Sequence, residues 1–291
     1  MLELEEVILL GEVKNKIEQL KEIVNEAAYF ANMAKNSTAV AVGENEILTR
    51  IFTGQLMIVD RRDISVSPHL IMSGEWEMDI TQIFRHYIKE NSVVFDVGAN
   101  SGYYGIIAGS SINNGSIHFF EPNPNLIPLI KKSLWVNGLM GLSKINQQAV
   151  SNEDGKNVIL NIVEDLWGSS SLHSIVSTVN IEDKVEVETI TLDSYAERNK
   201  LNKIDVIKID VEGHEEHVFQ GMMNILSENP QLVIFMEYTI GAYSKEFFNL
   251  LKSKFKNIVA IKGNNITPIQ TEKDLLRVSN EWVMLLLSNE G

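Results

Sequence analysis

From Ser92 onward, short apolar runs alternate with stretches of helix length, and that alternation leaves few architectures open. The runs are Ser92–Val97, Ser116–Glu121, Lys144–Val150, Ile204–Asp210, Gln231–Glu237, Asn257–Ile261 and Trp282–Leu287. Strands separated by helices are the signature of a layered α/β domain with a largely parallel sheet. The expected fold class is therefore α/β, a Rossmann-like seven-stranded sheet with flanking helices. A longer insert lies between the third and fourth runs. There Val158–Ile162 and Val185–Ile190 flank the turn region Gly168-Ser169-Ser170-Ser171, and extra β-structure is expected.

The chain ahead of Ser92 reads differently. Leu4 to Lys35 carries Val13, Ile17, Leu20, Val24, Ala27, Ala28 and Ala31 at helical spacing, with charges on the other faces. This predicts an amphipathic helix, which either packs on its own domain or pairs with a second copy in a homo-oligomer. Between Thr38 and Ser73 the pattern is short and alternating. Ala39–Val42, Ile47–Phe52 and Gln55–Val59 are expected as a small β extension. The stretch around Pro68, His69 and Ile71 has no clear period and is expected to be a connector or lid. A helix follows, from about Trp76 to Lys89. The division expected is residues 1–73 as N-terminal helix and short β segment, and 74–291 as the main domain.

Composition removes several functions. The net charge of −14 argues against a broad nucleic-acid footprint, since phosphate neutralisation needs clustered Lys and Arg. There is no cysteine, so disulfides, thiolate zinc sites and cysteine nucleophiles drop out. No apolar run approaches the roughly 20 residues that span a bilayer. The first residues, Met1 to Glu6, are acidic where a secretion signal is basic, so a cytoplasmic location is expected.

The sharpest local signal is Phe95-Asp96-Val97-Gly98-Ala99-Asn100-Ser101-Gly102-Tyr103-Tyr104. An apolar strand ends in an acid and turns through glycines into a helix. That turn stands at the carboxyl end of the first strand, where open α/β sheets bind ligands. A dinucleotide fold has Gly-x-Gly-x-x-Gly here; this chain has Asn100 in place of the second glycine. Asp96 beside the turn suits the cationic amino-acid end of S-adenosylmethionine better than a diphosphate. Glu121 ends the second strand, where its carboxylate can accept hydrogen bonds from both ribose hydroxyls of an adenosine. In the third cluster, Lys208-Ile209-Asp210-Val211-Glu212-Gly213-His214-Glu215-Glu216, the strand brings Asp210 and Glu212 to the same sheet edge. Asp210 holds the cofactor's ammonium, a substrate hydroxyl or a metal, or else Asp210 or Glu212 merely caps the next helix.

Taken together, these blocks resemble the FkbM family of methyltransferases. The resemblance rests on Asp96–Gly102, Phe120-Glu121-Pro122-Asn123-Pro124 and Lys208–Glu215. Softer matches are Gly74–Glu77, Gln148–Ser151 and the strand ending at Glu237. It implies a class I methyltransferase fold with the last strand antiparallel. It also implies S-adenosylmethionine as cofactor and transfer to oxygen, often to a hydroxyl of a sugar, glycan or natural product. By position it implies a cofactor pocket lined by Glu77, Asp96, Gly98, Asn100, Gly102 and Glu121, with Gln148 and Ala149 facing the adenine.

An alcohol is a poor nucleophile until its proton is drawn off. His214 is the first candidate for the base, beside the expected methyl position, with Asp210 as its catalytic companion. The competing expectation is Mg²⁺ held by Asp210 and Glu237. Two other functions stay open on the sequence: a nicotinamide-dependent oxidoreductase on a related sheet, and a non-catalytic cofactor-binding assembly domain.

Overall fold

A computed structural model describes residues 13–24, 38–166, 168, 170–172 and 181–289. Residues 13–24 are helical; the remainder of the helix expected over Leu4–Lys35 lies outside the described residues. Strands β1 (Ala39–Ala41), β2 (Glu46–Arg50) and β3 (Leu56–Asp60) form a small antiparallel sheet. The stretch around Pro68 is a six-residue helix, Ser67–Met72. Proline near its start needs no N–H partner, and the Asp63 carboxylate accepts from the backbone N–H of Val66 (3.1 Å) and Ser67 (2.8 Å). The helix expected near Trp76–Lys89 runs Met78–Tyr87.

The main sheet collects β4 (Val93–Val97), β5 (Ser116–Phe120), β6 (Ser143–Asn146), β10 (Val206–Ile209), β11 (Val233–Thr239), β12 (Asn257–Lys262), β13 (Asn265–Pro268) and β14 (Trp282–Ser288). Their order is β13-β12-β14-β11-β10-β4-β5-β6. Neighbours from β11 to β6 run parallel, while β14 is antiparallel to both β11 and β12. The seven expected strands are all present, and β13 adds an eighth at the edge through a hairpin with β12.

The third expected strand, Lys144–Val150, is divided. After β6 the chain leaves the sheet, and β7 (Ala149–Val150) pairs in parallel with β9 (Ile181–Ile190) of the insert. β8 (Asn157–Val163) completes that three-stranded layer, antiparallel to β9.

Alternation along each central strand feeds two cores. Val94, Ile117 and Phe119 face one side with Ile83, Phe84 and Ile107, together with Ile17, Leu20 and Val24 of the first helix. Phe95, Val97 and Phe120 face the other with Tyr195, Phe219 and Phe247. A third cluster joins Ile58 of β3 to Leu129, Ala149, Leu160 and Ile162. The two small sheets thus meet at the helix Ile127–Val136 that follows β5. No described helix is long and apolar enough to cross a membrane.

Candidate active site

The strand ends meet at a crowded point. Gly98 has φ +73°, and a Cβ there would stand 1.7 Å from the Asp210 carbonyl oxygen. Only glycine permits β4 and β10 to pass so closely. The Gly98 and Ala99 N–H groups donate to the Phe120 carbonyl, and the Asp210 N–H donates to that of Val97. Gly102, at φ +84°, opens the helix Tyr103–Gly109.

Two lobes meet over this point and share Gly98, Asn100, Gly168, Asp210 and Glu212. The first lies toward the insert. Its apolar wall includes Phe120, Val150, Leu160 and Leu172, with Gln148, Ala149 and His214 beside them. Glu121 stands at its floor. This residue is buried; one carboxylate oxygen accepts from the Asn100 N–H (2.7 Å) and the other from the Asn123 N–H (2.8 Å). Burial pushes its carboxyl up to about 7, against those two hydrogen bonds. Gln148 also donates to Glu188, at 2.9 Å.

The second lobe is acidic and aromatic. Glu77, Asp96, Asp210, Glu212 and Glu237 line it, with Lys208 among them and Trp76, Tyr103 and Trp282 as ring faces. Lys208 is fully buried; its Nζ lies 2.9 Å from Asp210 Oδ2 and 4.9 Å from the centre of the Tyr104 ring. Burial alone would lower Lys208, but Asp210 and Glu77 hold it above the ordinary lysine range. The Tyr104 hydroxyl donates to Glu77 (2.7 Å), and the Asp96 carboxylate accepts from the Gly105 N–H (2.8 Å), tying the lobe's floor to the helix beneath it. Glu77 (φ 45°), Asn100 (φ 50°) and Glu212 (φ 52°) all hold left-handed backbone conformations at this lobe. Strain of this kind, of order 1–3 kcal/mol each, concentrates where a site must be shaped.

The expected cofactor residues fall into both lobes: Gly98, Asn100, Glu121, Gln148 and Ala149 line the first, and Glu77 and Asp96 the second. Gly102 sits behind the turn, packed toward Ile130 and Phe119. His214 and Asp210, the expected catalytic pair, both line the first lobe; His214 Nε2 lies 2.9 Å from the Ser151 hydroxyl and its ring stacks on His217 at 4.3 Å. Asp210 and Glu212 do not cap the helix Glu215–Gln220, which has no side-chain cap. The loop is held instead by buried Glu215, whose Oε1 accepts from the Val211 N–H at 2.9 Å. Among the described residues no group of three or more His, Asp or Glu side chains is arranged to hold a metal ion. Asp210 is already paired with Lys208, so the expected Mg²⁺ at Asp210 and Glu237 gains no support here.

Burial, followed by repulsion from Asp210, pushes Glu212 up to about 8 and Glu237 up to about 9. A carboxyl raised in this way holds its proton more tightly folded than unfolded, so the folded state binds more protons and stability falls as pH rises. The window runs from the ordinary carboxylate value of about 4.3 to the raised value. The ligand-free protein is therefore expected to lose melting temperature between about pH 5 and 9. Glu237→Gln should lose less over the same range, and parallel curves for the two proteins would refute the assignment.

The sequence pattern of the methyltransferase FkbM domain matches residues 96–261, from Asp96 in β4 to Ile261 in β12. The chain belongs to the FkbM methyltransferase family. It is an S-adenosylmethionine-dependent methyltransferase, and that membership decides against the nicotinamide-dependent alternative. This FkbM-family enzyme is 24% identical over 200 residues to hexuronic acid methyltransferase AglP of Haloferax volcanii, spanning 69% of this chain and 75% of that protein. A solved methyltransferase FkbM from Methylobacillus flagellatus aligns with a TM-score of 0.40 at 12% identity, covering 72% of this chain and 53% of that one. Precorrin-6y C5,15-methyltransferase from Geobacter metallireducens aligns at 0.41 and 11% identity, covering 74% of this chain and 90% of that one.

Proposed function

We propose that the enzyme methylates a hydroxyl of a sugar unit on a glycan or natural product, with the adenosine half of the cofactor in the first lobe. The meeting of the two lobes over Gly98, Asn100 and Asp210 carries this reading. The apolar walls of the first lobe suit adenine, and Glu121 retains lone pairs for ribose hydroxyls. Glu77, Asp96 and Asp210 suit the cationic amino-acid end. The likeness to AglP supports a sugar acceptor at the level of class. Ser65 and Val66 reach the wall of the second lobe, so the N-terminal region is proposed to help cover the acceptor.

When bound, S-adenosylmethionine supplies a methyl group made electrophilic by its sulfonium. The protein's own contribution is alignment, worth up to roughly 7–11 kcal/mol, and removal of the hydroxyl proton. Glu237 is the proposed proton acceptor: it faces the second lobe, and its carboxyl, pushed up to about 9, is basic enough once ionised. His214 is assigned to the cofactor side through its place in the first lobe.

Two variants separate these roles. Glu237→Gln is expected to lower kcat about 10²–10⁴-fold while leaving cofactor affinity unchanged. His214→Ala is expected to weaken the cofactor and spare kcat. The opposite pattern would return the base to His214, and transfer to nitrogen or carbon but to no hydroxyl would end the O-methylation reading.

A further inference from the structure

We infer that Lys208 receives the carboxylate of the cofactor's amino-acid end, so that the second lobe mates with a zwitterion and not with a cation alone. This assignment deepens the reading above, because it rests on the amino-acid end lying in that lobe.

An amino-acid head group carries its carboxylate into any site that takes its ammonium. A carboxylate drawn out of water needs a positive or donating partner there. Among the described residues that line the lobe, Lys208 is the cation. It is only 1% exposed, inside the apolar strand Val206–Ile209, where burial strips an ammonium of its water. Its Nζ has three N–H groups, and its one hydrogen-bond acceptor among the described residues is Asp210, at 2.9 Å. The Tyr104 ring, 4.9 Å from Nζ, attracts the charge by its quadrupole. Donors therefore remain for a ligand that brings its own oxygens.

Lys208 and Asp210 present a positive and a negative group side by side on the lobe wall. The cofactor's head group offers the same two charges on one carbon. Laid antiparallel, each charge meets its opposite, the ammonium on Asp210 and the carboxylate on Lys208. Charge-assisted hydrogen bonds of this kind are roughly twice as strong as neutral ones. The neighbouring acids do not cancel the gain. Burial, then repulsion from Asp210, pushes Glu212 up to about 8 and Glu237 up to about 9, so near neutrality both hold their protons and do not repel the carboxylate.

A lysine present only to offset the surrounding acids would serve every ligand alike. One that takes the carboxylate distinguishes ligands by that group. The test titrates the full chain calorimetrically with S-adenosylhomocysteine and with its decarboxylated analogue, which keeps the ammonium. No acceptor is involved, so the result is independent of the sugar reading. The wild type is expected to bind S-adenosylhomocysteine at least about tenfold more tightly than the analogue, about 1.4 kcal/mol. Asp210→Asn should keep that preference, while the double variant Lys208→Met, Asp210→Asn, in which no charge is stranded, should lose it.

Equal affinities in the wild type, or a preference that survives in the double variant, overturn the inference and leave the adenosine seat in the first lobe intact. Binding of neither ligand to the wild type overturns the inference and the cofactor's placement together. Where the double variant does not fold, the wild type labelled with ¹⁵N at lysine decides. Lys208 is the buried lysine among the described residues, so its ammonium resonance is the one protected from exchange. S-adenosylhomocysteine is expected to move that resonance further than the analogue does; equal shifts overturn the inference.

Discussion

Exchanging Lys208 for methionine is expected to destabilise the protein by about 3–5 kcal/mol, the cost of leaving a buried charge without its partner. Lys208 pairs with Asp210 at 2.9 Å and holds positive charge beneath Glu77 and Glu237. Its removal should hurt most where the surrounding carboxyls would otherwise be ionised. The deficit is therefore expected to grow from pH 5.5 to pH 8.5. Pairing the exchange with Asp210→Asn removes the stranded charge, so the double variant should recover part of the loss. Denaturant unfolding of the four proteins measures this. Strict additivity, or a deficit that shrinks with rising pH, would show that Lys208 does not neutralise this cluster.

Gly98→Ala carries the second large effect. A Cβ would lie 1.7 Å from the Asp210 carbonyl oxygen, a backbone atom that moves only if β4 and β10 separate. Positive φ adds strain of its own. Together they are expected to cost about 2–5 kcal/mol and to abolish cofactor binding. Gly138→Ala is the control: its φ is +70°, but nothing lies within 4 Å of the added carbon. Strain alone is expected there, and thermal melts should rank Gly98→Ala far below it. Equal melting temperatures would mean the strand ends part easily.

The main sheet and the cofactor end of the site were legible in the sequence because both depend on local patterns. Apolar runs announce buried strands, and Gly98, Gly102 and Glu121 stand at strand ends where the chain must turn. Other features depended on tertiary partners. The chain leaves the sheet after Asn146 because Ala149 and Val150 find hydrogen-bond partners in β9, which no periodicity reveals. The helix Ser67–Met72 is too short to show a period, although Asp63 ahead of Pro68 was a usable start signal.

His214 follows Asp210 closely in sequence, and the two share the first lobe, while Glu212 at φ 52° and Gly213 at φ 94° turn the backbone between them. Lys208 and Glu215 were overlooked within a motif read for its other acids. A lysine inside the apolar run Val206–Ile209 was the signal, since a strand buried on both faces keeps an ammonium only beside a carboxylate. Trp76 and Trp282 are far apart in sequence and reach one lobe only through the antiparallel placement of β14 beside β11.

Calorimetric titration of the purified chain with S-adenosylmethionine and S-adenosylhomocysteine, beside a Glu121→Ala variant shown by thermal melting to be folded, tests the account most directly. Micromolar binding of both ligands to the wild type, weakened at least about tenfold in the variant (about 1.4 kcal/mol), is the result predicted. Binding unchanged by the loss of Glu121, or no binding of either ligand, would contradict the assignment of the first lobe as the cofactor's seat.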